Sequence, residues 1–228
     1  MYPEYLTHHY IITLIMFLVW IGVYFFGQKA NDQQIKSFTW LLIFFSLGQE
    51  IFDFGQRIYD SSRGLYDFSL TKELPLHPCH FAYFASLLAM YTKKESYFYI
   101  AYFFGMSGAF MGIVTPGGDT IYNISSNLTA HFQHSIIILN LAWCLSAFQM
   151  RCTKESIFFA FKVLNLLIVP IFIYNYFTGE NFFFLREAPA LLVYNPLLPT
   201  TVWPWYIFWI EMIFIPYCYL IYLPVKKG

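Results

Sequence analysis

Charged residues are scarce in this chain of 228 residues, because Asp, Glu, Lys and Arg together make up 11% of it. Soluble domains carry about 25% charged residues. Lys and Arg number 13 and Asp and Glu also number 13, so the net charge is zero and no basic stripe is available for nucleic acid. The shortage of charge therefore excludes an ordinary soluble domain and a nucleic-acid-binding protein.

Other patterns are missing as well. The four cysteines are far apart and form neither a disulfide framework nor a CxxC zinc pattern. There is no low-complexity tract, and no hydrophilic stretch is long enough for a second, soluble domain. The first apolar run has neither a basic stretch before it nor a small-residue cleavage site after it, so we expect a retained membrane span and not a signal peptide.

Long apolar runs fill most of the chain, which is 58% hydrophobic and 23% aromatic. A membrane helix needs about 20 apolar residues to cross a hydrocarbon core about 30 Å thick. Seven runs meet this requirement, at 8–27, 38–57, 76–92, 96–115, 131–150, 156–178 and 203–223. The sequence therefore predicts an all-α protein, a single transmembrane domain over residues 1–228 with about seven helices.

The basic residues between these runs predict an orientation. Eight lie in the odd-numbered loops and the C-terminus, and four lie in the even-numbered loops; the eight are Lys29, Lys36, Lys93, Lys94, Arg151, Lys154, Lys226 and Lys227. Cytoplasmic loops carry an excess of Lys and Arg. We therefore expect the N-terminus outside and the C-terminus in the cytoplasm.

With this orientation, the ionisable residues of the spans gather in the outer leaflet. Six histidines form pairs near the starts of spans one, three and five: His8 and His9, His77 and His80, and His131 and His134. Glu50 and Asp53 lie in the outer half of span two. Polar groups in a membrane are costly, so they usually line a cavity, pair with one another or serve a function.

Cys79 lies within the second histidine pair. Proline is tolerated in the first turn of a helix, so Pro78 predicts that the helix starts near His77 and that Cys79 lies in its first turn. The helix dipole and a nearby imidazolium would favour a thiolate there, as nucleophilic acyl transfer requires. His80 points about 100° away on an ideal helix. We therefore expect the base to come from another span, as His131 or His134.

Several polar residues have structural interpretations. Asp53 and Arg57 are four residues apart, which fits an ion pair on one helix face. Glu211 falls at a depth similar to that of Asn140 and Asn165, so a hydrogen-bonded layer around a protonated Glu211 is expected. The apolar segment 179–202 is expected to cover the cavity, and Asp119, after span four, is expected on the same side of the membrane.

Several motifs resemble one known family. They are Leu74-Pro-Leu-His-Pro-Cys-His80, Thr115-Pro116, Phe132-Gln-His134, Asn181-Phe-Phe-Phe-Leu185 and Pro204-Trp-Tyr206. Their order over about residues 49–224 resembles the YwaF-like bacterial integral membrane proteins, which implies a location in the bacterial plasma membrane. That family is similar to an animal group of polytopic acyltransferases that place polyunsaturated chains on ether phospholipids.

The animal group has a proposed catalytic pair, a Cys in a Pro-Cys-His context and a His about one and a half spans later. The resemblance therefore implies Cys79 as nucleophile and His134 as general base, with a membrane phospholipid or other acyl-lipid as substrate and no cofactor. His131 is an additional histidine one helical turn from His134, so the choice of base stays open.

Three functions follow as hypotheses. The first is a lipid acyltransferase or acyl hydrolase in which Cys79 attacks, His80 or His77 orients, and Glu50 fixes an imidazole tautomer. The second is a zinc hydrolase; its ligands would come from His77, His80, His131 and His134 with Glu50 or Asp53. The third is a transporter or lipid-binding protein whose polar cluster binds a headgroup.

Overall fold

The computed structural model describes residues 4–116, 124–188 and 200–227, and over these residues the protein is helical. The helices are α1 (Tyr5–Lys29), α2 (Asp32–Ser62), α3 (Pro78–Thr92), α4 (Glu95–Phe104), α5 (Phe110–Val114), α6 (Ile124–Ser146), α7 (Lys154–Thr178) and α8 (Trp205–Tyr222). A π-helical turn, Gly105–Ala109, joins α4 and α5 into one continuous rod. The predicted all-α class is confirmed; Asp119 and residues 189–199 lie outside the described residues.

Six of these elements are long and apolar enough to cross a membrane: α1, α2, the α4–α5 rod, α6, α7 and α8. The exception is α3, whose 15 residues extend for only about 22 Å. The prediction of about seven membrane helices is therefore confirmed for six, and α3 is a short helix packed among them. The orientation of the termini stays a prediction.

Local sequence explains where the helices begin and end. Capping boxes start α2, through Asn31 and Gln34, and α7, through Thr153 and Ser156. In each box, two side chains satisfy backbone N–H groups that have no partner inside the helix. Gly179 ends α7 with a φ of 85°, in the left-handed region that glycine adopts without strain.

The start of α6 differs from the prediction. The apolar run begins at 131, but the helix begins at Ile124. Its first turns pack against α1, where Asn127 is fully buried and donates a hydrogen bond to the carbonyl of Tyr5. Tertiary packing thus outweighs the low helix propensity of the polar residues there. As a result, His131 and His134 lie about two and three turns inside α6 and not at its start.

The centre of the bundle is α6, which packs against α1, α2 and α3. Asn140 is fully buried in α6 and donates hydrogen bonds to the hydroxyls of Ser46 and Ser86, so it connects α6 with α2 and α3. Asn165 instead donates to the carbonyl of Phe161 in its own helix. Neither amide is hydrogen-bonded to Glu211, so the expected layer around that carboxyl group does not form.

Candidate functional site

Cys79 lies where the sequence predicts it. His77 is the N-cap of α3, Pro78 is its first residue and Cys79 its second. The thiol is only partly buried, whereas the other three cysteines are fully buried. Cys79 is thus the cysteine with an accessible side chain, at a helix N-terminus whose dipole favours negative charge.

The side chain of His80 is close to that sulfur. Its Nδ1 lies 4.0 Å from the Cys79 Sγ, which is the nearest approach of an imidazole nitrogen to the thiol among the described hydrogen-bond contacts. We expected His80 to point away, on the basis of ideal helix geometry. The ring turns towards the sulfur because its other nitrogen is held from a different helix.

The residue that holds the His80 ring is Gln133 of α6. Its amide nitrogen lies 3.1 Å from His80 Nε2 and 3.3 Å from an Oε of Glu50 in α2. An amide NH₂ group has two protons, so it can donate to both partners at once. We assign His80 Nε2 as the acceptor, which places the proton of the neutral ring on Nδ1, facing Cys79. One chain of contacts thus runs across three helices, from the Cys79 sulfur through the His80 imidazole and the Gln133 amide to the Glu50 carboxylate. We call this chain the Glu50 relay.

Sequence reasoning missed the role of Gln133. The residue appeared only as a neighbour of His134 in the Phe132-Gln-His134 motif. A buried glutamine between two histidines is nevertheless a usable signal, because its side chain must find hydrogen-bond partners inside the membrane.

His134 of α6 and Cys79 of α3 pack side by side against the rod formed by α4 and α5. A Cβ atom added to Gly112 would stand 3.0 Å from Cε1 of the His134 ring, and one added to Gly108 would stand 3.5 Å from the backbone nitrogen of Cys79. Residues four apart lie on one helix face, about 5–6 Å from each other. The imidazole and the cysteine therefore pack against adjacent positions of a single glycine-lined face.

The two nitrogens of His134 differ from those of His80. Neither is hydrogen-bonded to a described residue, and neither belongs to the buried polar atoms that lack a partner. The ring therefore has a free nitrogen that a substrate or a thiol proton could approach. No hydrogen bond joins His134 to Cys79 directly among the described residues.

The glycine-lined face includes the π-helical turn. Such turns are frequent at functional sites because they displace backbone carbonyls from the regular helical ladder. Here the hydroxyl of Tyr217, in α8, donates to the carbonyl of Met106 at 2.7 Å. Gly105 packs closely on α6, where a Cβ would stand 2.9 Å from a methyl group of Ile137.

His131 has a different environment from His134, although one helical turn separates them. Its Nε2 lies 2.8 Å from the hydroxyl of Thr13 and its Nδ1 lies 2.8 Å from the hydroxyl of Ser135. The Thr13 hydroxyl donates its single proton to the carbonyl of His9. We therefore assign His131 Nε2 as a donor to Thr13 and Nδ1 as an acceptor from Ser135. Both nitrogens are occupied, and the residue is 2% exposed.

His77 lies under residues 179–188, which we call the cover segment. The ring centroid of His77 is 4.9 Å from that of Phe182. Asn175, fully buried in α7, binds both the N–H and the carbonyl of Phe182, at 3.1 and 2.8 Å. The hydroxyl of Tyr206 donates to the carbonyl of Phe184 at 2.7 Å. Hydrogen bonds thus hold the cover segment to α7 and α8, next to His77.

Asp53 forms the ion pair that its spacing predicts. Arg57 donates to Asp53 at 2.6 Å and to Glu73, in the loop after α2, at 2.7 Å. The hydroxyl of Tyr66 donates to the same Glu73 carboxylate at 2.7 Å, and burial together with this hydrogen bond raises the pKa of Tyr66 to about 12. These contacts hold the loop against α2, next to Glu50 but outside the Glu50 relay.

The four histidines proposed as zinc ligands do not converge. Within the described ranges, no three His, Cys, Asp or Glu side chains are grouped closely enough to hold a metal ion. The geometry gives the reason, because His131 is bound by two hydroxyls and His80 by an amide. Among the described residues, these four histidines therefore do not form one ligand set.

Comparison with known proteins gives one result. The TMEM164 family matches residues 5–222, which is nearly the whole chain. No curated protein and no solved structure matches. Together with six helices that could cross a membrane, the match establishes an integral membrane protein. The chain belongs to the TMEM164 family.

Proposed function

We propose that this protein is a thiol-dependent acyltransferase that acts on membrane phospholipids, in the plasma membrane of a bacterial cell. One observation carries the proposal: the accessible Cys79 at the start of α3 contacts His80 of the Glu50 relay and packs beside His134 on one glycine-lined face. Covalent catalysis requires a nucleophile and a neighbouring base, and here the relay also holds His80 against the thiol.

The first half of the reaction would transfer an acyl chain to the protein. The Cys79 sulfur attacks the carbonyl carbon of an acyl ester while its proton moves to an imidazole. The ester C–O bond then breaks, the lysophospholipid oxygen takes the proton back, and a thioester remains on Cys79. In the first turn of α3 the N–H of His80 already donates to the carbonyl of His77, whereas the N–H of Cys79 has no acceptor among the described backbone hydrogen bonds and can donate to the developing oxyanion.

The second half reverses these steps with another acceptor. The hydroxyl group of a second lysophospholipid gives its proton to the imidazole and attacks the thioester carbonyl. The C–S bond breaks, and the thiol regains the proton. Water in place of the lipid hydroxyl would turn the same site into an acyl hydrolase, and the covering of His77 by Phe182 supports exclusion of water and hence transfer.

The two imidazoles are suited to different tasks. Nδ1 of His80 carries a proton in the assignment above, so this ring can donate to the sulfur but cannot accept its proton. The nitrogens of His134 have no hydrogen-bond partner among the described residues, which suits a general base. We therefore assign the base to His134 and the orientation of the thiol to His80, with Glu50 and Gln133 holding His80 in place.

The test uses purified protein in vesicles that contain a phospholipid with a labelled acyl chain and an unlabelled lysophospholipid. We expect Cys79→Ala to lower acyl transfer at least about 1,000-fold, because the covalent route is lost. Intact-protein mass spectrometry should find one acyl group on the native chain and none on this variant. Cys218→Ala is the matched control, since that thiol is fully buried and far along α8.

Three outcomes would contradict the proposal. Unchanged transfer by Cys79→Ala would exclude the thiol as nucleophile. Stoichiometric zinc in active protein, lost together with activity on chelation, would favour a metal hydrolase. Lipid binding that alkylation of Cys79 blocks, without turnover in the native protein, would favour a transporter or lipid-binding protein.

A further inference from the structure

A cavity lies at the opposite end of α3 from the site around Cys79. It has a volume of about 550 Å³ and lies between the N-terminal half of α2, the end of α3 and the residues that follow α6. Met90 lines it and is eleven residues beyond Cys79, which is about 16 Å along the helix axis. The cavity is therefore separate from the proposed acyl-transfer site. We call it the α2–α3 groove.

The rim of the groove carries two lysines. Lys36 and Lys93 are both exposed, and neither forms an ion pair with a described carboxylate. Lys93 is the C-cap of α3, with a φ of 57°, and its ammonium group lies 5.3 Å above the ring of Phe148. Asp32 also lines the groove, in the first turn of α2, where the helix dipole stabilises a carboxylate. The groove therefore has a net positive rim.

Below the lysines the groove is aromatic and then apolar. Trp40 and Tyr91 are 41% and 66% exposed, and their ring centroids are 5.9 Å apart, an arrangement typical of the headgroup level of a bilayer. Ile43 and Met90 form the apolar wall deeper inside. The hydroxyl of Thr39 is already occupied, because it donates to the carbonyl of Ile35 and accepts from an indole N–H. The rim can thus bind an anionic group, and the inner part of the groove can bind an apolar one.

We propose that the α2–α3 groove binds one anionic phospholipid of the surrounding bilayer. Its phosphate group lies between the ammonium groups of Lys36 and Lys93, and an acyl chain follows the apolar side of α2 past Trp40. The groove lies at the end of the bundle that holds most of the basic residues, which the positive-inside rule assigns to the cytoplasm. The cytoplasmic leaflet is rich in anionic lipids, and basic pockets between helices bind their headgroups.

The test measures lipid selectivity at Trp40. The full chain is reconstituted in phosphatidylcholine vesicles, and tryptophan quenching by brominated phosphatidylglycerol is compared with quenching by brominated phosphatidylcholine. The signal of Trp40 is the part of the quenching that Trp40→Phe removes. We expect a preference for phosphatidylglycerol that falls about tenfold when Lys36→Gln and Lys93→Gln are combined.

The control pair is Lys29→Gln with Lys226→Gln, which removes the same charge from residues that do not line the groove. An equal loss in both pairs would overturn the proposal, because it would indicate a general surface potential. Absence of a preference for phosphatidylglycerol in the native chain would also overturn it. So would displacement of the lipid by millimolar inorganic phosphate, which would indicate a site for free phosphate. Thermal unfolding of the double variant should match that of the control pair and so exclude misfolding.

Discussion

His131 and His134 lie on the same helix, one turn apart, and their surroundings differ completely. Two hydroxyls occupy both nitrogens of His131, and the ring packs against His9 with centroids 4.7 Å apart. The ring of His134 faces the glycine-lined surface beside Cys79 without a hydrogen bond to any described residue. The comparison teaches that two histidines at similar depth on one helix can differ in which nitrogens are available. The proposed base is the one whose nitrogens have no hydrogen bond to a described residue.

Among the variants that test this comparison, the largest effect is expected for the two histidines themselves. His134→Ala should lower acyl transfer about 100-fold or more, because a general base contributes about 10²–10⁴ to the rate. His131→Ala should keep transfer per folded molecule within about threefold. It should instead lower the free energy of unfolding by about 1–3 kcal/mol, because the fully buried hydroxyl of Ser135 loses its hydrogen-bond acceptor.

Initial rates in vesicles and thermal unfolding of the same preparations measure both quantities. Equal losses of activity in the two variants would break the comparison. A His134→Ala protein with normal transfer would assign the base to His80, whose Nδ1 would then have to be unprotonated.

The second expected effect concerns the Glu50 relay. Gln133→Met keeps the length of the side chain and removes both hydrogen-bond donors, so His80 loses its anchor. The amide also loses its hydrogen bond to the Glu50 carboxylate, and a hydrogen bond to a charged group is worth about 1.5–3 kcal/mol, which corresponds to about a 10–100-fold lower kcat. KM should stay nearly constant because the substrate does not contact the amide.

This separation of kcat from KM distinguishes a positioning role from general destabilisation. Gln33→Met is the control, as that side chain is exposed at the start of α2. A parallel rise in KM would indicate that Gln133 binds substrate directly, and the relay would then be the wrong description.

The smallest expected effect tests the glycine-lined face. Gly112→Ala places a methyl group 3.0 Å from the His134 ring, so the imidazole must move by a few tenths of an ångström. We expect a loss of transfer of about tenfold, since small misplacements of catalytic groups are costly. Gly22→Ala, whose Cβ meets nothing within 4 Å, should leave the rate unchanged.

Gly108→Ala is the informative comparison, because its Cβ would make ordinary contact with Cys79, at 3.5–3.8 Å. It should lower the rate less than Gly112→Ala does. The reverse order would show that the position of the cysteine backbone, and not that of the imidazole, limits the reaction.

Several features could be predicted from the sequence because local chemistry controls them. Pro78 predicted the start of α3, and the four-residue spacing predicted the pair of Asp53 and Arg57. The start of α6 was wrong by seven residues, because the contact of Asn127 with α1 is tertiary. The direction of His80 was also wrong, because Gln133 comes from another helix.

The sequence by itself determined that this protein is a membrane-embedded helical bundle, and it placed one cysteine in a helical first turn beside histidines. Composition and apolar run length are sufficient for this, because the bilayer imposes one requirement on every span. Only the tertiary structure decided that hydroxyls bind the ring of His131 and an amide holds that of His80, while the ring of His134 has no hydrogen bond to a described residue. Those differences arise from hydrogen bonds between residues distant in the chain, and periodicity carries no information about them.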